Sequence, residues 1–212
     1  MFDGPEFRQV REDIIAFGRR AVRDELVSGT AGNFSVRIGD VMAITPSSVA
    51  YAVMEPGEVC VVRVSDGTLE SGTRPSSETR MHLAVYAGSA AGAVVHTHSR
   101  VVVALSSVLD VLPAVHYAMA RLGGPVRVVP YARFGTDQLA TLAATGLEGR
   151  SAVILRNHGA LTYGATLVEA YERAVTLEWL ASVFWHAQLL GTPKLLDERQ
   201  LAEVAAAGSY RH

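Results

Sequence analysis

The chain has 212 residues and a mass of 22.6 kDa, with 49% hydrophobic and 19% charged residues. This composition excludes a disordered chain, because it supplies ample apolar side chains for a core. The formal net charge of −2 gives no electrostatic reason to expect nucleic acid or a membrane as a partner. We therefore expect a single folded domain over residues 1–212, with two smaller domains as the alternative.

The cellular location follows from three features of the sequence. Cys60 is the single cysteine, which excludes an intramolecular disulfide framework and fits a reducing compartment. The N-terminal stretch MFDGPEFRQVREDI is charged and has no apolar centre, so it lacks the pattern of a signal peptide. The most apolar run, VVVALSSVLDVL, is interrupted by Asp110 and is too short to span a bilayer. We expect a cytoplasmic protein.

The first half of the chain predicts one helix followed by two hairpins. Apolar residues near the N-terminus recur at three- and four-residue steps, which predicts an amphipathic helix that ends by Gly29. The recurring positions are Phe7, Val10, Ile14, Phe17 and Ala21. The segment FSVRIGDVMAIT predicts a hairpin with Gly39-Asp40 in its turn, and VCVVRVSDGTLE predicts another with Asp66-Gly67. Antiparallel pairing therefore dominates this half.

The second half alternates between helices and strands. Helices are predicted from Ser77 to about Ala87 and from Val101 to Ser107, with the strand GAVVHTH between them. The strand PVRVVPYA, the helix TDQLATLAAT and the strand SAVILRN follow. Thr166 and Glu169 have capping-box spacing at the start of a long helix, and a last helix covers about Asp197 to Ala207. The elements predict one α/β domain with a largely antiparallel sheet flanked by helices on both faces.

Three histidines are candidates for a metal site. His96 and His98 lie one residue apart in the apolar stretch AVVHTHS, so on a strand their side chains project to the same face. His158 follows the predicted strand SAVIL, where it can reach a site at the edge of the sheet. Three imidazoles with an open fourth position can hold zinc. The alternative is that each is a hydrogen-bonded core or turn histidine, and the spacing alone leaves both interpretations open.

The segment RPSSETRMH contains candidates for anion binding and proton transfer. Ser76 and Ser77 lie at the predicted start of a helix, where hydroxyls and free N–H groups are suited to phosphate. Glu78 beside them could act as a general base. The alternative is an ordinary helix start, with serine as the N-cap and glutamate favoured by the helix dipole.

Two further segments, TAGNFSVR and AITPSS, are open to a similar choice. Gly32 and Asn33 follow the first helix and precede a strand, which is the composition of a turn. An asparagine amide and glycine N–H groups could equally cradle a phosphate. The same choice applies to residues 45–48, at the end of the first hairpin.

Seven segments occur in the order found in class II aldolases of the fuculose-phosphate and ribulose-phosphate-epimerase type. They are GTAGNFSVR, AITPSS, RPSSETRMHLAVY, AVVHTHS, PAVHYAMA, VPYARFGT and NHGALTYG. The chain therefore resembles the class II aldolase and adducin family from about Phe7 to the final helix. The resemblance implies an α/β domain built on an antiparallel sheet, and a homotetramer of four-fold symmetry with active sites at subunit interfaces.

The resemblance also implies a role for each candidate residue. His96, His98 and His158 would hold one zinc ion per chain, and Glu78 would be the acid/base. The residues around the substrate phosphate would be Gly32, Asn33, Ser47, Ser48, Ser76 and Ser77. Ser47 and Ser48 stand where the aldolase usually has threonine and glycine.

Two tyrosines complete the implied site. Tyr117 would reach in from a neighbouring subunit to handle the proton of the aldehyde oxygen, and Tyr210 in the C-terminal tail would close over the site. The implied reaction is reversible cleavage of a 1-phosphoketose, of the L-fuculose 1-phosphate type, to dihydroxyacetone phosphate and a small aldehyde such as lactaldehyde. Zinc would stabilise the carbanion, and no Schiff base is needed. Lys194, the only lysine, lies far from these motifs in the sequence.

Other reactions of the same family compete with this interpretation. The family's ribulose-phosphate 4-epimerase has aspartate in place of Glu78 and an acidic residue in the region where PAVHYAMA has none, so both differences favour an aldolase. Sugar-acid phosphate decarboxylases, a methylthioribulose-phosphate dehydratase and 5-deoxyribulose-1-phosphate aldolases are not separated by these residues. A non-catalytic binding module, as in the adducin head, would be expected to lose metal ligands, and all three histidines are present.

Overall fold

A computed structural model of the protein describes residue 2 and residues 4–208. The described α-helices are α1 (Pro5–Arg23), α2 (Thr79–Gly88), α3 (Arg100–Ser106), α4 (Asp137–Gly146), α5 (Leu167–Leu190) and α6 (Glu198–Ala206). The described β-strands are β1 (Asn33–Ile38), β2 (Val41–Ile44), β3 (Cys60–Arg63), β4 (Leu69–Ser71), β5 (Ala93–Thr97), β6 (Val111–Leu112), β7 (Val126–Val129), β8 (Ala152–Leu155) and β9 (Gly159–Gly164). Two short 3₁₀ helices, Pro56–Glu58 and Tyr117–Leu122, lie between strands.

These strands form one sheet in the order β4-β3-β2-β1-β5-β9-β8-β7-β6. Every neighbouring pair of described strands is antiparallel except β7 and β8, which are parallel. Both predicted hairpins are present, and their turns use glycines with positive φ, at Gly39 (58°) and Gly67 (75°). The prediction of a largely antiparallel sheet is therefore confirmed, and β1, β5 and β9 lie side by side at its centre.

Helices cover both faces of the sheet, as predicted. On one face α2 and α4 contribute Met81 and Leu139 to a core that includes Val94 of β5. On the other face α1 and α5 contribute Ile14 and Tyr171 to a second core. A third apolar cluster joins α3 and α5 to the strands at the β6 end of the sheet. Because side chains of β5 alternate between the two faces, its positions 94 and 96 point toward α2 and α4.

Some element ends differ from the prediction, and two of them affect the site. The first helix ends at Arg23 instead of near Gly29, because the residues that follow turn inward and are buried in the second core. Helix α2 begins at Thr79 instead of Ser77, with Glu78 as its N-cap. The carboxylate of Glu78 makes no capping hydrogen bond and is available for other contacts.

Strand β9 was missed from the sequence because the segment GALTYG is short and has glycine at both ends. Its hydrogen bonds to β5 and β8 on either side override this weak local preference. Strand β5 ends at Thr97, so His98 lies directly after the strand. Tyr210, predicted to close over the site, lies outside the described residues. None of the described helices has both the length and the apolar character that crossing a membrane requires.

Candidate active site

The three predicted ligand histidines converge on one point at the end of β5. The rings of His96, His98 and His158 form three edge-to-face pairs with centroids 4.7 to 4.9 Å apart. His96 is fully buried, and its Nδ1 donates to the carbonyl of Ala160 on β9 at 2.8 Å. In the neutral ring this bond leaves the lone pair on Nε2, the atom that lies 2.8 Å from Nε2 of His98. The backbone N–H of His98 donates to the carbonyl of Leu26 at 3.0 Å, which holds the residue after the strand ends.

The turn between β8 and β9 delivers His158 to this point. Asn157 has a positive φ of 53°, a conformation that asparagine tolerates better than most residues. Its N–H donates to the hydroxyl of Ser106 at 2.9 Å. A side chain on Gly159 would place Cβ 2.2 Å from the carbonyl oxygen of Thr97, so this position requires glycine. The triplet Asn-His-Gly is therefore a structural requirement for placing His158.

The carboxylate of Glu78 completes the cluster. Its Oε2 lies 3.0 Å from Nε2 of His96 and accepts a hydrogen bond from Nδ2 of Asn33 at 2.9 Å. Its Oε1 lies 3.3 Å from Nε2 of His158 and has no hydrogen-bond partner although it is buried. The side chain is thus anchored at one oxygen, and the other oxygen is available to a ligand.

The protonation states suit cation binding. Burial is the largest single influence on the pKa of Glu78 and raises it, but the charges and hydrogen bonds of His96, His158 and Asn33 together hold this pKa well below its usual range. Burial, and after it the charge on His96, lowers the pKa of His98 to about 3 and that of His158 to about 4. Burial lowers the pKa of His96 and the neighbouring carboxylate raises it, with a net upward shift. Two neutral imidazoles and one carboxylate at neutral pH are ready donors for a divalent cation.

The residues present fit a zinc ion. The four ligand atoms of the cluster all lie within 4.8 Å of one another. Nε2 of His96 and Nε2 of His98 lie 2.8 Å apart, a distance at which a proton or a cation must lie between the two nitrogens. Zinc binds imidazole nitrogen at about 2.0–2.1 Å and commonly takes three histidines with one position left for substrate. His96, His98 and His158 could therefore hold the ion, with Glu78 beside it.

A cleft of about 390 Å³ opens onto this cluster. The predicted site residues that line it are Gly32, Asn33, Ser47, Ser48, Ser76, Ser77, Glu78, His98 and His158. The two Pro-Ser-Ser triplets of the chain meet here, because Pro46 and Pro75 form an isolated antiparallel bridge. The hydroxyls of four serines are thereby brought to one side of the cleft, next to the start of α2. No lysine or arginine is among the described residues that line it.

Three further residues of the site were not singled out from the sequence. Phe134 lines the cleft and is 57% exposed. It lies in VPYARFGT, one of the seven segments that carry the resemblance to the family, so the resemblance points to this part of the chain. His82 and Ser35 are fully buried behind Asn33 and hydrogen bond to each other. Nothing in their local sequence distinguishes them from ordinary polar residues.

Tyr117 does not join this cleft within one chain. It begins the second 3₁₀ helix and stacks on His116 with ring centroids 4.0 Å apart, and Trp179 contacts the ring of His116 at 4.8 Å. Tyr117 is 38% exposed and Trp179 is 46% exposed, so this aromatic group lies at the surface. Tyr117 is not among the described residues that line the cleft.

Comparison with known proteins defines the class of this chain. The family model described as the class II aldolase and adducin N-terminal domain matches residues 12–185. The chain belongs to this family. Class II aldolases are metal-dependent lyases, in agreement with the cluster of three histidines and one glutamate that can hold a metal ion.

Two relatives and one solved structure that are similar to this chain are named as sugar-phosphate aldolases. L-fuculose phosphate aldolase of Haemophilus influenzae is 41% identical over 184 residues, which are 84% of this chain and 84% of that protein. 5-Deoxy-D-ribulose 1-phosphate aldolase of Bacillus thuringiensis is 36% identical over 198 residues, which are 92% of this chain and 93% of that protein. A solved structure of an L-fuculose 1-phosphate aldolase is 34% identical and has a TM-score of 0.91, with 94% of this chain and 95% of that chain covered.

Proposed function

We propose that this chain is a zinc-dependent aldolase that reversibly cleaves a 1-phosphoketose to dihydroxyacetone phosphate and a small aldehyde. The observation that carries the proposal is the buried carboxylate of Glu78, which lies within 3.3 Å of two of the three converging imidazoles and opens onto a serine-lined cleft. Lys194 lies after α5, outside the described cleft lining, so a lysine Schiff base has no support.

Cleavage next to a ketone leaves an electron pair on carbon, and the site must stabilise it and move one proton. A zinc ion held by the three histidines would supply positive charge beside the ketone oxygen, where this electron pair accumulates. Glu78 would take a proton from the hydroxymethyl carbon of dihydroxyacetone phosphate in the synthetic direction and return it during cleavage. Asn33 holds Oε2 of the carboxylate, which leaves Oε1 as the atom that exchanges the proton.

The phosphate would bind at the serine side of the cleft. Ser47, Ser48, Ser76 and Ser77 supply hydroxyl groups there, and the N-terminus of the ten-residue helix α2 adds a partial positive charge. Gly32, with a positive φ of 75°, also lines the cleft. Neutral donors bind phosphate without a lysine or arginine, and none is among the described lining residues.

The assembly proposed for the active protein is a homotetramer in which Tyr117 of a neighbouring subunit donates a proton to the aldehyde oxygen during synthesis and accepts it in cleavage. Support comes from the exposed aromatic group of Tyr117, His116 and Trp179, which lies outside the cleft of its own chain. A cyclic assembly repeats one heterologous contact around its axis, so each cleft would receive one such tyrosine.

A mixing experiment tests the shared site. Glu78→Gln and Tyr117→Phe are each dissociated, mixed and reassembled, and turnover is compared with that of each variant treated alone. Mixed interfaces contain some sites in which both residues are intact, so part of the activity should return. Two variants that are separately impaired and never complement each other would place Tyr117 in its own chain's site.

The proposal also concerns which sugar phosphate is the substrate. One relative is named for 5-deoxy-D-ribulose 1-phosphate and a similar solved structure for L-fuculose 1-phosphate, so both sugars have a phosphate on carbon 1. A coupled assay for dihydroxyacetone phosphate over both substrates, beside an epimerase assay with ribulose 5-phosphate, tests the reaction. We expect the zinc-loaded protein to release dihydroxyacetone phosphate and His96→Ala to release none. Epimerisation of ribulose 5-phosphate without any cleavage would contradict the proposal.

A further inference from the structure

We propose that His82 is a positioning residue that orients Glu78 through the side-chain amide of Asn33. The inference rests on the proposed function, in which Glu78 moves the proton. His82 is the central member of a buried hydrogen-bonded chain, defined here as the relay, that runs from α2 through β1 and back to Glu78. The members of the relay, in order, are Tyr86, Ser35, His82, Asn33 and Glu78.

The relay follows from how α2 lies on β1. Positions 78, 82 and 86 are four residues apart, so they line one face of α2. Asn33 and Ser35 are two residues apart on β1, so their side chains point to the same face of the sheet. Asn33 is the register partner of His96 on β5, so the relay runs directly beside the metal cluster.

Every contact in the relay is within hydrogen-bond distance. Tyr86 Oη lies 2.8 Å from Ser35 Oγ, and Ser35 Oγ lies 2.7 Å from Nδ1 of His82. Nε2 of His82 lies 2.6 Å from Oδ1 of Asn33, whose Nδ2 lies 2.9 Å from Glu78 Oε2. All five side chains are at least 95% buried, so loss of a partner within the relay costs free energy.

The chemistry of the groups assigns one direction to the whole relay. An ionised carboxylate only accepts, so Asn33 presents its NH₂ to Glu78 and its oxygen to His82. That oxygen also only accepts, so His82 carries its proton on Nε2 and accepts at Nδ1 from the hydroxyl of Ser35. Tyr86 then donates to Ser35. Burial, and after it the charge on His96, lowers the pKa of His82 to about 3, which keeps the ring neutral.

This direction gives His82 a specific task. Without a donor at Nε2 of His82, the buried Oδ1 of Asn33 has no partner, and the amide is held only by its bond to Glu78. The amide would then shift toward another donor, and Oε2 of Glu78 would move with it, away from its place 3.0 Å from His96. Displacement of a catalytic group by about 1 Å can cost on the order of 10²-fold in rate.

A matched pair of variants tests the task. His82→Gln keeps an N–H donor near the position of Nε2, whereas His82→Asn is too short to reach Asn33 but still accepts from Ser35. We expect His82→Asn to lower kcat about 10- to 100-fold with KM within about threefold of wild type and one zinc still bound. His82→Gln should restore kcat to within about threefold of wild type. Equal kcat for the two variants at equal zinc content would overturn the proposal.

A second measurement reads the tautomer of His82 without any turnover. His116 also accepts at Nδ1, from the N–H of Ala118, so it has the same tautomer when neutral. Nitrogen NMR of ¹⁵N-histidine-labelled wild-type protein should therefore show a further neutral histidine, protonated on Nε2 and bare on Nδ1, whose signals are missing from His82→Gln. Protonation of this ring on Nδ1 would overturn the proposal. A wild-type protein that cleaves no 1-phosphoketose but shows the expected tautomer contradicts the proposed function alone, whereas normal cleavage by His82→Asn contradicts this inference alone.

Discussion

Gly159 is the position where a single methyl group should disturb the metal site most directly. A Cβ there would lie 2.2 Å from the carbonyl oxygen of Thr97, 3.0 Å from Cδ2 of His98 and 3.2 Å from Cε1 of His96. Gly159→Ala therefore brings a carbon against backbone oxygen, which cannot rotate away as a side chain would. The strands β5 and β9 must separate to relieve the contact.

The size of the effect follows from these distances. Carbon and oxygen atoms in contact need about 3.2 Å or more, so the strands must shift by about 1 Å. The bond from His96 Nδ1 to the Ala160 carbonyl, now 2.8 Å, would lengthen to about 3.8 Å and be lost. Loss of such a second partner of a ligand histidine costs about 10- to 100-fold in metal affinity. The forced packing should also destabilise the fold by about 1–3 kcal/mol.

Zinc affinity is measured by competition with a chelating indicator, and stability by urea unfolding of the metal-free protein. Gly88→Ala is the matched control, since a Cβ there meets nothing within 4 Å. Gly88 is the last residue of α2, at the opposite end of this helix from Glu78. Alanine is the better helix former, so the control should be as stable as wild type or more stable. If Gly159→Ala binds zinc as tightly as Gly88→Ala, the described packing around His96 is wrong.

Two further substitutions test backbone strain near the site. Ser48 has a φ of 64° without being glycine, so Ser48→Gly should stabilise the protein by about 0.5–1 kcal/mol in urea unfolding, and a loss of stability would refute this expectation. Asn157 has a φ of 53°, so Asn157→Val should destabilise the protein by about 1–2 kcal/mol and weaken zinc binding. Asn157→Gly is its control and should stay close to wild type in stability and in zinc affinity. Equal values for Asn157→Val and Asn157→Gly would contradict the role of the turn between β8 and β9 in placing His158.

Short-range sequence patterns predicted most helices and strands, because most of these elements are specified by residues within the element or in its turns. The stripe that includes Ile14 predicted α1, and the turn glycines at 39 and 67 predicted both hairpins. Strand β9 has no such local signal, since it is stabilised by its two neighbours in the sheet. The end of α1 at Arg23 was also missed, because burial of the following residues decides it.

Some residues of the candidate site could likewise be predicted from local sequence, and others are revealed only by the fold. The spacing of His96 and His98 indicated a shared face, and the positions of His158 after a strand and of Glu78 at a helix start made both of them candidates. The resemblance gave these residues their roles, and the structure brings their ligand atoms within 4.8 Å of one another. The partner of His82 is 49 residues away along the chain, so only the packing of α2 on β1 reveals the contact. Predicted roles that depend on a second subunit or on the tail, for Tyr117 and Tyr210, stay predictions.

Hydrogen exchange at the hydroxymethyl carbon of dihydroxyacetone phosphate tests the central claim most directly, because it needs no knowledge of the aldehyde. The zinc-loaded protein is incubated with dihydroxyacetone phosphate in D₂O, and loss of the carbon-bound proton signal is followed by NMR. Glu78 should exchange one of the two protons on this carbon, and Glu78→Gln with zinc still bound should exchange it about 10²-fold more slowly or not at all. Undiminished exchange by Glu78→Gln, or no exchange by the zinc-loaded wild-type protein, would contradict the account.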